Sequence, residues 1–216
     1  MVKVEGLKKR YDEFTCIGYR DYTFETGKSY VLLGASGCGK STYLNMLAGV
    51  ISPTEGKIEI DGRDMAAASQ REKDAFRVRS IGYIFQDFRL LEDMSVQDNI
   101  EVLKLEGVDV SSCDSVLDEL GILKLKRRRV ARLSGGEKQR VAIARALVKA
   151  PEIILADEPT GNLNYTIGRS VMEALISAAK GKTLLCVTHD DRLAELFDCV
   201  LDMNELALWE GGAQNA

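Results

Sequence analysis

The chain has 216 residues, with 29 Lys and Arg against 33 Asp and Glu, a formal net charge of −4 and 45% hydrophobic residues. That length supports one domain with a substantial buried core, enough for an enzyme, while the slight acidity excludes a global basic field for nucleic acid and makes any anion site a local one. Five cysteines, an odd set without a CxxC pair, and a single histidine argue against a disulfide scaffold and a structural zinc site.

In chain order, "MVKVEGL", "YTFET" and "SYVLLG" are short β-type runs separated by turn residues, so a small sheet should lead into a buried strand at Tyr30 to Leu33. The N-terminal stretch "MVKVEGLKKRYDEF" has no apolar signal core, and no run of about 18 apolar residues follows, which predicts a cytosolic chain that does not span a membrane. A helix is expected over "YLNMLAGV", stopped by Pro53 and Gly56, and then a strand at "GKIEIDG". From Gln86 to about Ala150 the spacing becomes helical in "SVQDNIEVLKLEG", "CDSVLDELGI" and "EKQRVAIARALVKA", as in an inserted helical subdomain. The apolar runs "PEIILADEP" and "KTLLCVTHD" then read as parallel strands covered on both faces, which makes the fold class α/β. The one charge run, Lys124 to Arg129, reads as a solvated helix end or loop.

Between the buried strand and the first helix lies "LLGASGCGKST". Gly34, Ala35, Ser36, Gly37, Cys38, Gly39, Lys40 and Ser41 fit G-x-x-x-x-G-K-[ST], and Thr42 follows. Glycines without Cβ atoms let successive backbone N–H groups curl around phosphate oxygens, with the positive end of the next helix facing the same charge. Lys40 would reach the β- and γ-phosphates and Ser41 would offer its hydroxyl to Mg²⁺. A flexible Gly/Ser loop is the competing reading, and the strand before and helix after it weigh against that. Cys38 reads as a small space filler. The strand "IILADEP" ends in Asp157, suited to Mg²⁺ through water, and Glu158, suited to act as general base. In isolation such an acidic pair reads as a cap on the next turn; beside a triphosphate loop it completes an ATPase.

The segment "LSGGEKQRVAIARAL", Leu133 to Leu147, resembles the signature of ATP-binding cassette (ABC) ATPases and stands just upstream of "ILADEPTGNL", as in that family. Read as residues, Ser134, Gly135 and Gly136 are a hydroxyl N-cap and bare amides opening a helix near Glu137. The resemblance, from Val2 to about Ala207, implies a P-loop NTPase with a RecA-like core around a parallel sheet, an N-terminal antiparallel β subdomain and an inserted α-helical subdomain. Residues 1–216 would form one ABC ATPase domain, with 1–86 and 151–216 as nucleotide-binding core and 87–150 as the helical part carrying the signature. It implies ATP and Mg²⁺ as ligands, and a head-to-tail, ATP-dependent homodimer. In that dimer Leu133, Ser134, Gly135, Gly136 and Glu137 of one copy face the ATP held by the other. Gln86 is similar to the family's Q-loop glutamine, a Mg²⁺ and water contact, and His189 to its switch histidine at the γ-phosphate. Tyr11 occupies the place of the adenine-stacking ring, with Phe14 and Tyr19 as alternatives.

Two departures stand out. Asn164 replaces the aspartate usual after the catalytic strand, which bears on hydrolysis rather than ATP binding, and Tyr43 replaces a leucine at an expected helix flank. "FQDFRLLEDMSVQDNI" and "ADEPTGNL" resemble the branch serving lipoprotein release, macrolide and antimicrobial-peptide export, and cell division. That implies an integral membrane permease as partner, no nucleic acid, and a cytoplasmic location on the inner face of the cell membrane. Phe88, Leu90, Leu91 and Met94 would receive the permease, unless they pack inside the helical subdomain. The short stretch after Trp209 is an expectation against maltose-type importers. The alternative is a soluble ABC ATPase acting as scaffold or nucleotide switch without a permease.

Overall fold

Two sheets of opposite character organise the computed structural model, which describes residues 1–210. The chain opens with strands β1 (Val2–Arg10), β2 (Cys16–Tyr19), β3 (Tyr22–Phe24) and β4 (Ser29–Leu33), helix α1 (Lys40–Leu47), and strands β5 (Glu55–Ile60) and β6 (Arg63–Asp64). Helix α2 (Gln70–Ser80), strand β7 (Ile81–Ile84), and helices α3 (Val96–Glu101), α4 (Cys113–Glu119) and α5 (Gly135–Leu147) follow. Then come β8 (Ile153–Asp157), α6 (Tyr165–Ala178), β9 (Thr183–Thr188), β10 (Cys199–Asp202), α7 (Met203–Leu206) and β11 (Ala207–Glu210).

One sheet is parallel throughout, in the order β10-β4-β9-β8-β7. Its central strands are apolar on both sides because alternate residues enter different cores. Val31, Ile154, Ala156, Leu184 and Cys186 pack with α3 to α6, whereas Tyr30, Leu32, Leu155, Leu185 and Val187 pack with α1 and the second sheet. That second sheet is antiparallel, ordered β11-β2-β1-β5-β6 with β3 also on β1. The α/β class with one parallel and one antiparallel sheet is therefore as expected, with an addition: the antiparallel sheet is closed at one edge by β11, from the far end of the described chain.

Three local differences from the sequence expectations have physical causes. Helix α2 was not foreseen, because its exposed sequence QREKDAFRVRS has no apolar stripe, with Lys73 its one residue buried outright. The helix expected to run to Gly107 breaks after Glu101 into a 3-10 turn, Val102–Glu106, that ends on Gly107 at φ 75. Tyr43 does not lie on a flank: it is fully buried, its ring 4.7 Å from Tyr19 and 6.3 Å from Phe24. Among the described residues its hydroxyl has no partner.

Side chains tie the helices end to end. Arg77 on α2 donates to Ala48 O and Gly49 O, the C-terminal carbonyls beyond α1, at 3.2 and 3.0 Å. Lys149, just past α5, donates to Arg77 O at 2.9 Å. Cations at helix C-termini satisfy orphan carbonyls and oppose the negative end of the dipole.

Candidate functional site

The glycine loop joins β4 to α1. Gly37 and Gly39 hold φ 81 and 98, conformations that favour glycine. At Gly39 a Cβ would also lie 2.2 Å from Ile17 Cδ1 and 2.9 Å from the Tyr19 hydroxyl. Helices α2, α3 and α5 are closed by Ser69–Glu72, Ser95–Asp98 and Ser134–Glu137 capping boxes, whereas α1, like the short α4, has no side-chain cap, and in α1 the N-cap is a left-handed glycine, Gly39. The first-turn amides of α1 are thus left for a ligand, with the helix dipole favouring an anion. Beneath the loop, Lys40 Nζ donates to Gly34 O at 2.6 Å and Ala35 O at 2.8 Å, and lies 3.5 Å from Glu158 Oε1. Its side chain is 6% exposed.

Parallel strands bring the remaining groups to one edge, where open α/β sheets form their sites. Asp157 ends β8, Gln86 follows β7 and His189 follows β9. Ser41 Oγ donates to Asp157 Oδ1 at 2.9 Å. Burial pushes the Asp157 carboxyl above the usual carboxylate range, the neighbouring Glu158 adding to the rise and the Ser41 hydrogen bond and Lys40 opposing it. Glu158, at φ 46, accepts from the His189 backbone N–H at 3.3 Å and shares a hydrogen bond with His189 Nδ1 at 2.9 Å. A left-handed non-glycine residue at a site is a strained arrangement kept by its surroundings.

These groups face a cleft of about 720 Å³, lined by Ala35, Ser36, Gly37, Gly39, Lys40, Ser41, Thr42, Gln86, Glu158 and His189 together with Tyr11 and Trp209. Gly34, Cys38 and Asp157 are not part of its lining; Cys38 packs against the apolar core. Of the three aromatic candidates, Tyr11 is at the cleft, its hydroxyl 2.6 Å from Thr42 Oγ1. Phe14 is 78% exposed outside it, and Tyr19 is buried, donating to Gly39 O at 2.9 Å. Trp209 was missed in the sequence; the alternation of "ALWE" was its only signal.

The signature residues Leu133, Ser134, Gly135, Gly136 and Glu137 are not among the cleft's lining. Ser134 Oγ donates to Glu137 Oε2 at 2.7 Å and accepts from Glu137 N at 3.4 Å. The glycines also let α5 approach α6: a Cβ would fall 2.9 Å from Leu163 Cδ2 at Gly135 and 2.6 Å from Ile167 Cγ2 at Gly136. Asn164 caps α6 by accepting from Ile167 N at 3.0 Å. Asn162 Nδ2 donates to Gln86 O at 2.9 Å, and beyond Gln86 the residues Phe88 and Arg89 are left-handed, at φ 59 and 48. Of the four expected partner-facing residues, Leu91 and Met94 are exposed, Leu90 packs on the helical core, and Phe88 is half-buried.

The family model described as ABC transporter matches residues 20–161, well over half the chain. The chain is 38% identical to the lipoprotein-releasing system ATP-binding protein LolD of Nitratidesulfovibrio vulgaris, covering 97% of this chain and 95% of that one. It is 37% identical to the ABC transporter ATP-binding protein YtrE of Bacillus subtilis, over 88% of this chain and 86% of the other. Among solved structures it is similar to the dimeric post-hydrolysis state of the ATP-binding cassette MJ0796 bound to ADP and Pi, with TM-score 0.79 and 30% identity over 98% of both chains.

Proposed function

The chain belongs to the ABC transporter family and is an ATPase nucleotide-binding subunit of a transporter; from that premise we propose how its own residues hold and cleave ATP. The observation that carries the reading is the uncapped start of α1 above Lys40, with Glu158 3.5 Å from the same ammonium. ATP would place its phosphates on the Gly34–Thr42 amides, drawing Lys40 Nζ from the loop carbonyls to the β- and γ-phosphate oxygens. Tyr11 would stack on the base.

The donor set suits Mg²⁺: Ser41 hydroxyl, Asp157 carboxylate and Gln86 amide carbonyl are hard oxygen ligands, and the first two already lie 2.9 Å apart. Bound there, Mg²⁺ would neutralise phosphate charge; Asp157 must be ionised to take part. Glu158 accepts the proton of the attacking water as its oxygen bonds to the γ-phosphorus, and the bond to the β-phosphate oxygen breaks to leave ADP. His189 steadies Glu158 and offers a donor to the transferred group.

The second half of the site comes from a second copy. Ser134 and Gly136 of that copy would close on the γ-phosphate in a head-to-tail homodimer, which accords with their position outside the cleft and with the dimeric MJ0796 cassette. In this reading residues 1–216 form one ABC ATPase domain, with 87–150 as the helical part and 1–86 and 151–216 as the nucleotide-binding core; of the latter span, 211–216 lie outside the described residues. Leu91 and Met94 would meet an integral membrane permease, with no nucleic acid involved. No described helix is long and apolar enough to cross a membrane, and we place the protein peripherally on the cytoplasmic face of the cell membrane. The likeness to LolD favours the lipoprotein-release and peptide-export branch; the permease-free alternative draws no support from the comparisons.

The test pairs two variants. Lys40→Ala should abolish ATP affinity, and an unchanged dissociation constant would refute the phosphate role of the loop. Glu158→Gln should bind ATP, lose turnover by about 100-fold or more, and elute as a dimer in ATP; wild-type turnover would remove Glu158 from the chemistry.

A further inference from the structure

Trp209 is the sole tryptophan of the chain, and it lines the same cleft as the phosphate loop. Strand register fixes which way it faces. Trp209 pairs with Ile17 across β11 and β2, and Ile17 pairs with Lys9 across β2 and β1. Residues opposite one another in an antiparallel sheet share a face, so Trp209, Ile17 and Lys9 stand on one side. Tyr11 stands there too, two residues on from Lys9, because its N–H donates to Thr15 O at 2.9 Å and continues the β1–β2 ladder.

That side is the one turned to the loop. Ile17 and Tyr19 abut Gly39 from it, and Ala207, two residues before Trp209, is buried in the same core. Trp209, 37% exposed, is the first residue of β11 on this face to reach open space. With neighbouring strands about 4.8 Å apart, the indole's strand and that of Tyr11 are separated by about 10 Å. Tyr11 also stands two residues, about 7 Å, farther along than the level of Trp209, and both side chains line the cleft beside Thr42.

Resting on the nucleotide reading above, we infer that Trp209 is a second base-contacting residue, which shares the base with Tyr11. Stacking scales with ring overlap, and an indole offers the largest π-face among side chains. The phosphates are held elsewhere, so Trp209 adds affinity for the base without touching the chemistry.

Because no other tryptophan emits, the wild-type protein is its own probe. ADP titrated into it should change Trp209 fluorescence with the dissociation constant that calorimetry gives, whereas inorganic tripolyphosphate should bind and leave the emission unaltered. Trp209→Ala should weaken ADP on the order of ten-fold and tripolyphosphate not at all, with Trp209→Phe intermediate. Calorimetric ADP binding with unaltered emission, or Trp209→Ala with wild-type ADP affinity, would overturn this assignment and leave the phosphate site standing. Failure of both ADP and tripolyphosphate to bind would instead overturn the nucleotide reading and the assignment with it.

Discussion

Arg145 Nη1 donates to the carbonyl oxygen of Arg89 at 2.6 Å. Its other terminal nitrogen takes Phe88 O at 3.1 Å, so one guanidinium on α5 holds both left-handed residues of the turn that follows Gln86. Such conformations cost about 1–3 kcal/mol each and persist where neighbours impose them. Arg145→Ala should therefore slow ATP hydrolysis on the order of ten-fold through a misplaced Gln86, with less than about a two-fold change in ATP affinity. Arg145→Lys should not restore it, because a single ammonium cannot span two carbonyls as a fork does. Steady-state ATPase assays beside calorimetry check this; equal loss of affinity and turnover would contradict a role in positioning.

Tyr43→Phe should stabilise the protein. The phenol hydroxyl is buried without a partner among the described residues, and an unsatisfied buried polar group costs about 1–3 kcal/mol. For a domain of this size the expected rise in Tm is about 2–4 °C per kcal/mol. A lower Tm by scanning calorimetry would mean that the hydroxyl is hydrogen-bonded after all.

Asn164 separates capping from catalysis. Asn and Asp cap helices about equally well, so Asn164→Asp should leave Tm nearly unchanged while Asn164→Ala loses about 1 kcal/mol. If the segment crosses the dimer interface, the restored charge alters the hydrolysis rate of the dimer. Indistinguishable kinetics for Asn164→Asp would make the amide a neutral replacement.

Lys149 gives stability a pH dependence. Burial pushes its ammonium down to about 8, Glu106 opposing and Arg77 adding to the shift. Unfolded lysine titrates near ~10.4, so between the two values the unfolded chain binds more protons and stability rises with pH. Below the folded value the cost of the buried charge is fully present. The Tm of wild type relative to Lys149→Met should increase from pH ~7.5 to ~9.5; a constant difference would rule out titration of Lys149 as the cause.

Much of the site could be read locally because most of its parts come at or soon after a strand end. Lys40, Asp157, Gln86 and His189 follow runs that are apolar on both faces, and such runs announce themselves without knowledge of their neighbours. Helix α2 lacked that advantage: its polar surface leaves only the capping pair Ser69 and Glu72 as a start signal. Trp209 escaped for a different reason, since pairing between β11 and β2 joins residues some 190 positions apart, and no local pattern reports partners at that separation. Tyr43 shows the opposite limit, where helical spacing locates a residue but not the aromatic cluster that receives its ring.

The seating of β11 beside β2 has a consequence for how the protein comes into being. During synthesis the phosphate loop emerges early, yet the sheet beneath it lacks its outermost strand until residues 207–210 have left the ribosome. A nascent chain can thus shape the anchor for phosphate long before it can finish the wall beside it, so the nucleotide cleft is completed only when β11 docks on β2.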